Sequence, residues 1–396
     1  MNSRTVQPVR RQQTRKRRRT EVKKAYVDYN LIVVIIFLVC FGLIMLYSAS
    51  YYEAQIKFGN DMEYFSKQAL ISVVSFAVML IVSKIDYHIY APFSLEIFLF
   101  AIFMMVLVQT PLGVESYGAR RWLQLPGNMT LQPAEIMKIA VILFIPYIIC
   151  KIGKGVGTTE GALKILAYGA IASGCVLFLT DNLSTALIVM AISVILLFVV
   201  HPKTKPFLVL FGGGLTAAVV GIMILSANIS TSTNFRLRRL LVWLRPEEYS
   251  ASGGYQVMQA LYAIGSGGFW GKGLGNSTQK LSVIPEAQND FILSIICEEL
   301  GVFGAIVVVV LFGILLYRLL FIARNAPDMY GSLVATGILA HIALQVVLNI
   351  AVVINLIPTT GITLPFISYG GTSVLFLMIE MGIALGISRK IKISTD

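Results

Sequence analysis

Apolar runs of about 17 to 25 residues, each closed by a polar turn, set the rhythm of this chain. At a rise of about 1.5 Å per residue, a helical run of that length crosses the ~30 Å hydrocarbon core of a bilayer. Ten runs qualify, centred on 31–49, 67–83, 93–110, 134–151, 163–181, 183–200, 206–226, 290–321, 332–354 and 368–388. The short alternating segments of an outer-membrane barrel are missing. The pattern predicts an all-α, polytopic helical bundle forming one transmembrane domain over 28–392, with tails at 1–27 and 393–396.

An even number of crossings returns both termini to one side. Basic residues mark alternate turns, at Lys84, at Lys151, Lys154 and Lys164, at Lys203 and Lys205, at Arg318 and Arg324, and after the last run at Arg389, Lys390 and Lys392. Cytoplasmic turns carry such an excess, so both termini are expected in the cytoplasm. The turn at Asp181 and Asn182 and the uncharged stretch 355–367 then fall outside. Two external loops break the rule. Loop 111–133 holds Arg120 and Arg121, and the large loop 227–289 holds Arg236, Arg238, Arg239, Arg245, Lys272 and Lys280. Positive charge on the translocated side opposes topology, which points to an anionic ligand arriving there; the plainer reading is that a long loop crosses whatever its charge. Within the large loop, Tyr255 to Ile264 has the apolar spacing of a short amphipathic helix on the outer surface.

Composition sharpens the class. Of the 396 residues 57% are hydrophobic and 13% charged, with a mean hydropathy of +0.79, which excludes a soluble globule. The net charge of +12 suggests nucleic acid until its distribution is examined. Ten of the 32 Lys and Arg precede Tyr26, in a tail whose one acidic residue is Glu21. A basic tail before a spanning helix is a topology signal held near anionic lipid, so no nucleic-acid partner is expected. It lacks a small-residue cleavage site and should stay attached and disordered. Cys40, Cys150, Cys175 and Cys297 lie in or beside apolar runs without Cys-x-x-Cys spacing, so neither a disulfide framework nor zinc is indicated.

Ionisable groups are costly near hydrocarbon, and those at one depth mark the candidate chemistry. Under this topology Arg120, Arg121, Glu135, Lys138, Asp181 and Asp290 share the outer leaflet. Asp290 opens the eighth run at the positive end of a helix dipole, which favours its ionised form, and is the expected chemical centre. Glu135 and Lys138, at i,i+3 after Pro133, are close enough to pair, either as a structural ion pair or as part of the site. Glu298 and Glu299 lie about 12 to 14 Å deeper by helical rise, in a supporting role. His341, Gln345 and Asn349 make one polar stripe facing the bundle interior, and Glu380 keeps a proton path open as a second reading. The glycine-rich stretch Gly265 to Gly275 matches no nucleotide-binding order, and haem is equally unsupported.

Four segments resemble the SEDS family (shape, elongation, division and sporulation): Gly118-Ala119-Arg120-Arg121-Trp122-Leu123, Gln132-Pro133-Ala134-Glu135-Ile136-Met137-Lys138, Pro285-Glu286-Ala287-Gln288-Asn289-Asp290-Phe291-Ile292, and the run from Pro358 to Ser373. Their order spans nearly the whole chain, and the last two resemble the division and sporulation branch. The resemblance implies a peptidoglycan glycosyltransferase of the bacterial cytoplasmic membrane that polymerises lipid II at the outer face, at the division septum, with release of undecaprenyl diphosphate. It implies Asp290 as the catalytic aspartate and a class B penicillin-binding transpeptidase and further divisome proteins as partners. Asn289 stands where the family has Thr, and Asp181-Asn182-Leu183-Ser184-Thr185 departs from its usual run.

The residues fit that chemistry. A diphosphate leaves without a proton and needs only positive charge, so one carboxylate base and a cationic clamp suffice. Asp290 serves as base, and Arg120, Arg121 and Lys138 clamp the diphosphate, with Glu135, Asp181, Glu286 and Lys272 expected around the substrate and a divalent ion (Mg or Mn) beside it. A lipid II flippase and a non-catalytic division scaffold are the competing readings.

Overall fold

The computed structural model describes residues 24–116, 119–125, 129–228, 235–249, 253–280, 284 and 286–393. In chain order they form β1 (Lys24–Ala25), α1 (Tyr29–Phe58), α2 (Glu63–Val82), α3 (Ser94–Val108), β2 (Gly113–Ser116), β3 (Ala119–Leu125), β4 (Met129–Leu131), α4 (Pro133–Ile152), α5 (Thr159–Thr180), α6 (Leu183–Val200), α7 (Lys205–Asn228), α8 (Phe235–Leu244), α9 (Tyr255–Gly267), α10 (Ile292–Asn325), α11 (Met329–Val353), α12 (Gly371–Ser388) and β5 (Lys392–Ile393). A helix overlaps each of the ten apolar runs. Eight are long and apolar enough to cross a membrane; α3 is shorter, with 15 residues, and α7 has 24. The chain is a multi-pass membrane protein.

Local chemistry sets the helix ends. Asp28 Oδ1 accepts from Leu31 N at the start of α1, Asn182 Oδ1 from Thr185 N at α6, and Asp328 Oδ1 from Gly331 N at α11. Pro133 takes the first position of α4, where its missing N–H is not needed. Between helices, small residues permit close approach: a Cβ at Gly42 would lie 2.7 Å from the Ile367 backbone, and one at Gly382 2.7 Å from Met79 O. The most enclosed helices are α4, α11 and α12.

One end of the bundle ties the termini together. β1 pairs antiparallel with β5. Arg318 Nη2 holds Asp28 Oδ2 at 2.7 Å, and Lys390 Nζ holds Asp86 Oδ2 at 2.7 Å. The ordered domain therefore starts before residue 28, because Lys24 and Ala25 find strand partners in Lys392 and Ile393. Both expected tails are shorter by those residues, and the rest of each lies outside the described chain.

Two further departures occur at the opposite end. Loop 111–133 folds into a three-stranded antiparallel sheet, β2-β3-β4, where no strand was expected. The eighth run is also not a continuous helix. Gly301 (φ 67°, ψ −161°) divides α10 into 292–300 and 302–325, and the loop after α9 fills the break. Lys272 N donates to Glu298 O, Gly273 N to Glu299 O, Val302 N to Gly268 O and Phe303 N to Phe269 O. A Cβ at Gly271 would lie 2.2 Å from Glu299 O, so glycine serves here for backbone contact.

Candidate active site

Strand pleating separates the adjacent arginines. On β3 successive side chains point to opposite faces. Arg121 Nη2 donates to Asp181 O at 3.1 Å and lines a cavity of about 880 Å³. Arg120 instead points to the exposed side, 3.8 Å from Glu115 on β2. Of the two neighbours expected to form a clamp, the structure brings only Arg121 to the cavity.

The second arginine at the cavity is Arg239 of α8, whose Nη1 donates to Thr359 O at 3.2 Å. Its pKa is lowered by burial and then by the charge of Arg121, while Asp290 opposes the shift. Two guanidinium groups, from β3 and α8, therefore meet at the polar mouth of this cavity. Sequence reasoning passed over Arg239, one of a cluster in a long loop; its amphipathic helix was the available signal.

Asp181 also lines the cavity, in a left-handed conformation (φ 47°) that closes α5 and lets α6 begin at once. Below this mouth the walls are apolar: Leu183, Leu187, Ile188 and Ala191 of α6 face Leu344 and Leu348 of α11. Ser184 Oγ donates to Thr360 O at 2.9 Å and fixes the 358–360 rim.

Asp290 sits behind this rim, partly buried, in the turn before α10. Burial raises its carboxyl pKa to about 6, its own backbone N–H opposes that shift, Glu286 adds to it, and Arg239 opposes it. Desolvation thus lifts the carboxyl above its ordinary value, and at about 6 it is still mostly ionised at neutral pH. Asn349 Nδ2 donates to Asp290 O at 2.9 Å and to Ile362 O at 2.8 Å, linking the Asp290 turn to a cavity-wall residue. Tyr369 N donates to Gln288 O, and Asn289 Nδ2 to Glu286 Oε2 at 2.8 Å. Asp181, Glu286, Asn355 and Phe366 all have positive φ, so the left-handed non-glycine residues among the described ones cluster in the turns of this end.

The remaining expected substrate contacts have other partners. Lys138 Nζ and Glu135 Oε1 pair at 2.8 Å and are buried on α4, outside the cavity. Lys272 Nζ lies 2.6 Å from Glu298 Oε1, and Lys280 Nζ 2.8 Å from Glu299 Oε1, with Ser48 of α1 also bonded to Glu299. The loop folds in to meet both carboxylates, so Glu298 and Glu299 pin it to α10. Both glutamates lie before the Gly301 break, one to two turns into α10, and the loop follows the helix inward to reach them. His341 Nδ1 bonds Glu380 Oε2 at 2.8 Å in the buried interior. Among the described residues no three His, Cys, Asp or Glu side chains converge to hold a metal ion.

A membrane bundle with a partly buried carboxyl near two guanidiniums that line the mouth of an apolar cavity is suited to an anionic amphiphile. The comparisons place this bundle. A family model described as cell cycle protein, covering FtsW, RodA and SpoVE, matches residues 28–393, and the chain belongs to that family. It is 36% identical to stage V sporulation protein E of Bacillus subtilis, over 93% of this chain and 98% of that protein. It is also 36% identical to a probable peptidoglycan glycosyltransferase FtsW of Trichlorobacter lovleyi, over 95% and 97%. A chain from a peptidoglycan synthase complex coordinating polymerisation and crosslinking aligns with TM-score 0.75 at 22% identity, over 92% of this chain and 98% of that one. RodA of Thermus thermophilus aligns with TM-score 0.63 at 22% identity, over 92% and 97%. These two likenesses concern the fold.

Proposed function

We propose that this chain is a peptidoglycan glycosyltransferase that polymerises lipid II at the outer face of the cytoplasmic membrane. The observation that carries the reading is that Arg121 and Arg239 both line the mouth of one apolar cavity, with Asp290 near Arg239. Two guanidinium groups converging on one cavity mouth suit an anion that arrives there. A diphosphate supplies the anion and its polyprenyl tail suits the apolar walls.

In the proposed step Asp290 takes the proton from the 4-hydroxyl of the acceptor sugar. The oxygen attacks the anomeric carbon of the donor as the bond from that carbon to the diphosphate oxygen breaks. The bonding pair leaves with undecaprenyl diphosphate, whose growing charge Arg121 and Arg239 stabilise. A carboxyl with a pKa near 6 is ionised at neutral pH and still basic enough to accept the proton. No step is assigned to a metal ion.

The names of the relatives support glycosyl transfer, and the crosslinking complex supports a class B penicillin-binding transpeptidase as partner, with further divisome proteins at the septum. The basic turns Lys84, Lys151, Lys203 and Arg324 support cytoplasmic termini and an outward-facing Asp290. The test is glycan-chain formation from purified lipid II by the purified protein with its transpeptidase. Wild type forms polymer and Asp290→Asn forms none. Undiminished polymer from the Asn variant removes Asp290 from the chemistry.

A further inference from the structure

The proposed step brings two saccharides to Asp290, and the cavity at Arg121 and Arg239 takes the diphosphate of one of them, the donor. The acceptor needs a place of its own on another side of the Asp290 turn. Two ties join that turn to the stretch 355–370. Asn349 links it to Ile362, a wall of the cavity. At the other end of the stretch Tyr369 N donates to Gln288 O at 2.9 Å, and Gly370 N to Gln68 Oε1 of α2 at 3.4 Å. The second tie leads away from the cavity, to the hairpin of α1 and α2.

Glu53, Lys57, Asp61, Glu63 and Lys67 crowd this hairpin, so its tip stands out of the hydrocarbon. Aromatic rings lie among the charges. Tyr64 packs edge-on against Tyr369, with 5.1 Å between ring centroids, and against Phe58 at 5.6 Å. Lys67 Nζ lies 5.6 Å from the centre of the Phe58 ring, which is 51% exposed. The Tyr64 hydroxyl donates to Glu53 Oε1 at 3.5 Å, and Glu286 is also near this ring. A row of rings edged by carboxylates therefore runs from the Asp290 turn to the surface. Such a row suits a saccharide: the C–H face of a pyranose is drawn to the negative face of an aromatic ring, and its hydroxyl and acetamido groups donate to carboxylates. We propose that Phe58, Tyr64 and Tyr369 form the acceptor subsite, which binds the amino-sugar disaccharide whose 4-hydroxyl Asp290 deprotonates. The inference rests on the proposed glycosyltransferase reading and assigns its acceptor side.

Stacking remote from the reacting bond acts equally on ground and transition states and therefore appears in KM. The test separates the two substrates. Transfer of one disaccharide is measured in detergent, with the transpeptidase present, between two lipid II analogues. The donor-only analogue carries its 4-hydroxyl in the epimeric, axial position; the acceptor-only analogue has CH2 in place of the anomeric oxygen, so its link to the diphosphate cannot break. Each is varied while the other is saturating. Phe58→Ala and Tyr64→Leu are expected to raise the KM for the acceptor about tenfold and to leave that for the donor within about twofold, and Phe58→Tyr to keep the wild-type value. Ile56→Ala, at a 63% exposed position of the same helix end, should change neither. Phe58 is exposed, so its variant keeps the test open should the Tyr64 variant fail to fold. Tyrosines at a membrane end also serve as interfacial anchors. An acceptor KM unchanged in both variants, the result for anchors alone, or donor and acceptor KM rising together, overturns the subsite and leaves the glycosyltransferase reading standing. A wild type that forms no polymer from unmodified lipid II removes that reading and the subsite with it.

Discussion

Replacing Glu286 with Gln tests the site's electrostatics without touching its base. Burial is the main reason that the Asp290 carboxyl titrates near 6 and not near 3.8, and the Glu286 charge adds to it. A shift of roughly two units corresponds to about 3 kcal/mol between the protonated and ionised forms. Below pH about 6 the carboxyl is protonated and cannot accept the hydroxyl proton, so polymerisation should fall about tenfold per pH unit and level off above. Glu286→Gln removes a like charge and should move this limb to lower pH by a fraction of a unit. Arg239→Gln removes an opposing charge and should move it upward, with a lower plateau from the lost clamp. Stability follows the same linkage: a raised carboxyl pKa gives stability fully present below about pH 4 and lost as pH rises through about 6. Asp290→Asn should therefore be inactive and, above pH 6, more heat-stable than wild type. The assay is the initial rate of glycan elongation at saturating lipid II from about pH 5 to 8 in detergent. A limb that moves upward in Glu286→Gln, or stays fixed in both variants, refutes the argument.

Arg121→Ala should lower the polymerisation rate by about 10²-fold or more, and Arg120→Ala by only a few-fold, because only Arg121 lines the cavity; equal losses would contradict the strand alternation. Glu299→Gln strands the buried Lys280 ammonium and should cost about 3–5 kcal/mol, read as a lower melting temperature in detergent, whereas Glu299→Leu with Lys280→Met should recover much of it. Asn349→Ala leaves the Asp290 and Ile362 carbonyls without their shared donor, costing about 1–3 kcal/mol for each group left unsatisfied. It should lower kcat more than it raises KM, and Asn349→Gln should not restore the rate. His341→Gln and Glu380→Gln should retain measurable glycan synthesis in detergent if the bundle folds, since their pair lies outside the cavity.

Helices and chemistry differed in how plainly the sequence disclosed them. Ten apolar runs of bilayer length specify the helices through hydropathy alone, and Pro133, Asn182 and Asp328 mark starts through cap chemistry. Asp290 stands out in the sequence as a lone acid at the start of an apolar run, whereas the other candidates blur where the fold chooses among equals. Arg120 and Arg121 are equivalent until a strand assigns them faces, and the polar loop pattern gave no strand period. Arg239 was one of several loop arginines until α8 brought it to Thr359. Lys272 and Lys280 read as external cations for an anionic ligand because their partners lie roughly 20 or more residues on, beyond the reach of i,i+4 reasoning. Gly301 gave no local warning of a break, since a lone glycine in an apolar helix is ordinary until a loop supplies new partners for the carbonyls it frees.

Charge placement also separates an enzyme from a translocator. A route across the membrane needs groups that bind the head group along its length or at both ends. At the end that joins the termini, Arg318 is held by Asp28 and Lys390 by Asp86, so these cations complete structural pairs. In the interior His341 Nδ1 bonds Glu380 Oε2 at 1% side-chain exposure, while His341 Nε2 is buried without a hydrogen-bond partner. The cavity of about 610 Å³ between α6, α10 and α11 is nearly all apolar, with Arg324 the one charged residue in its lining. Arg121 and Arg239 line the cavity at the opposite end, with Asp290 near Arg239. Two cations and an acid thus meet at one membrane face, against a lone arginine in the apolar lining toward the other. That asymmetry suits bond formation at one face better than carriage of a charged head group between two.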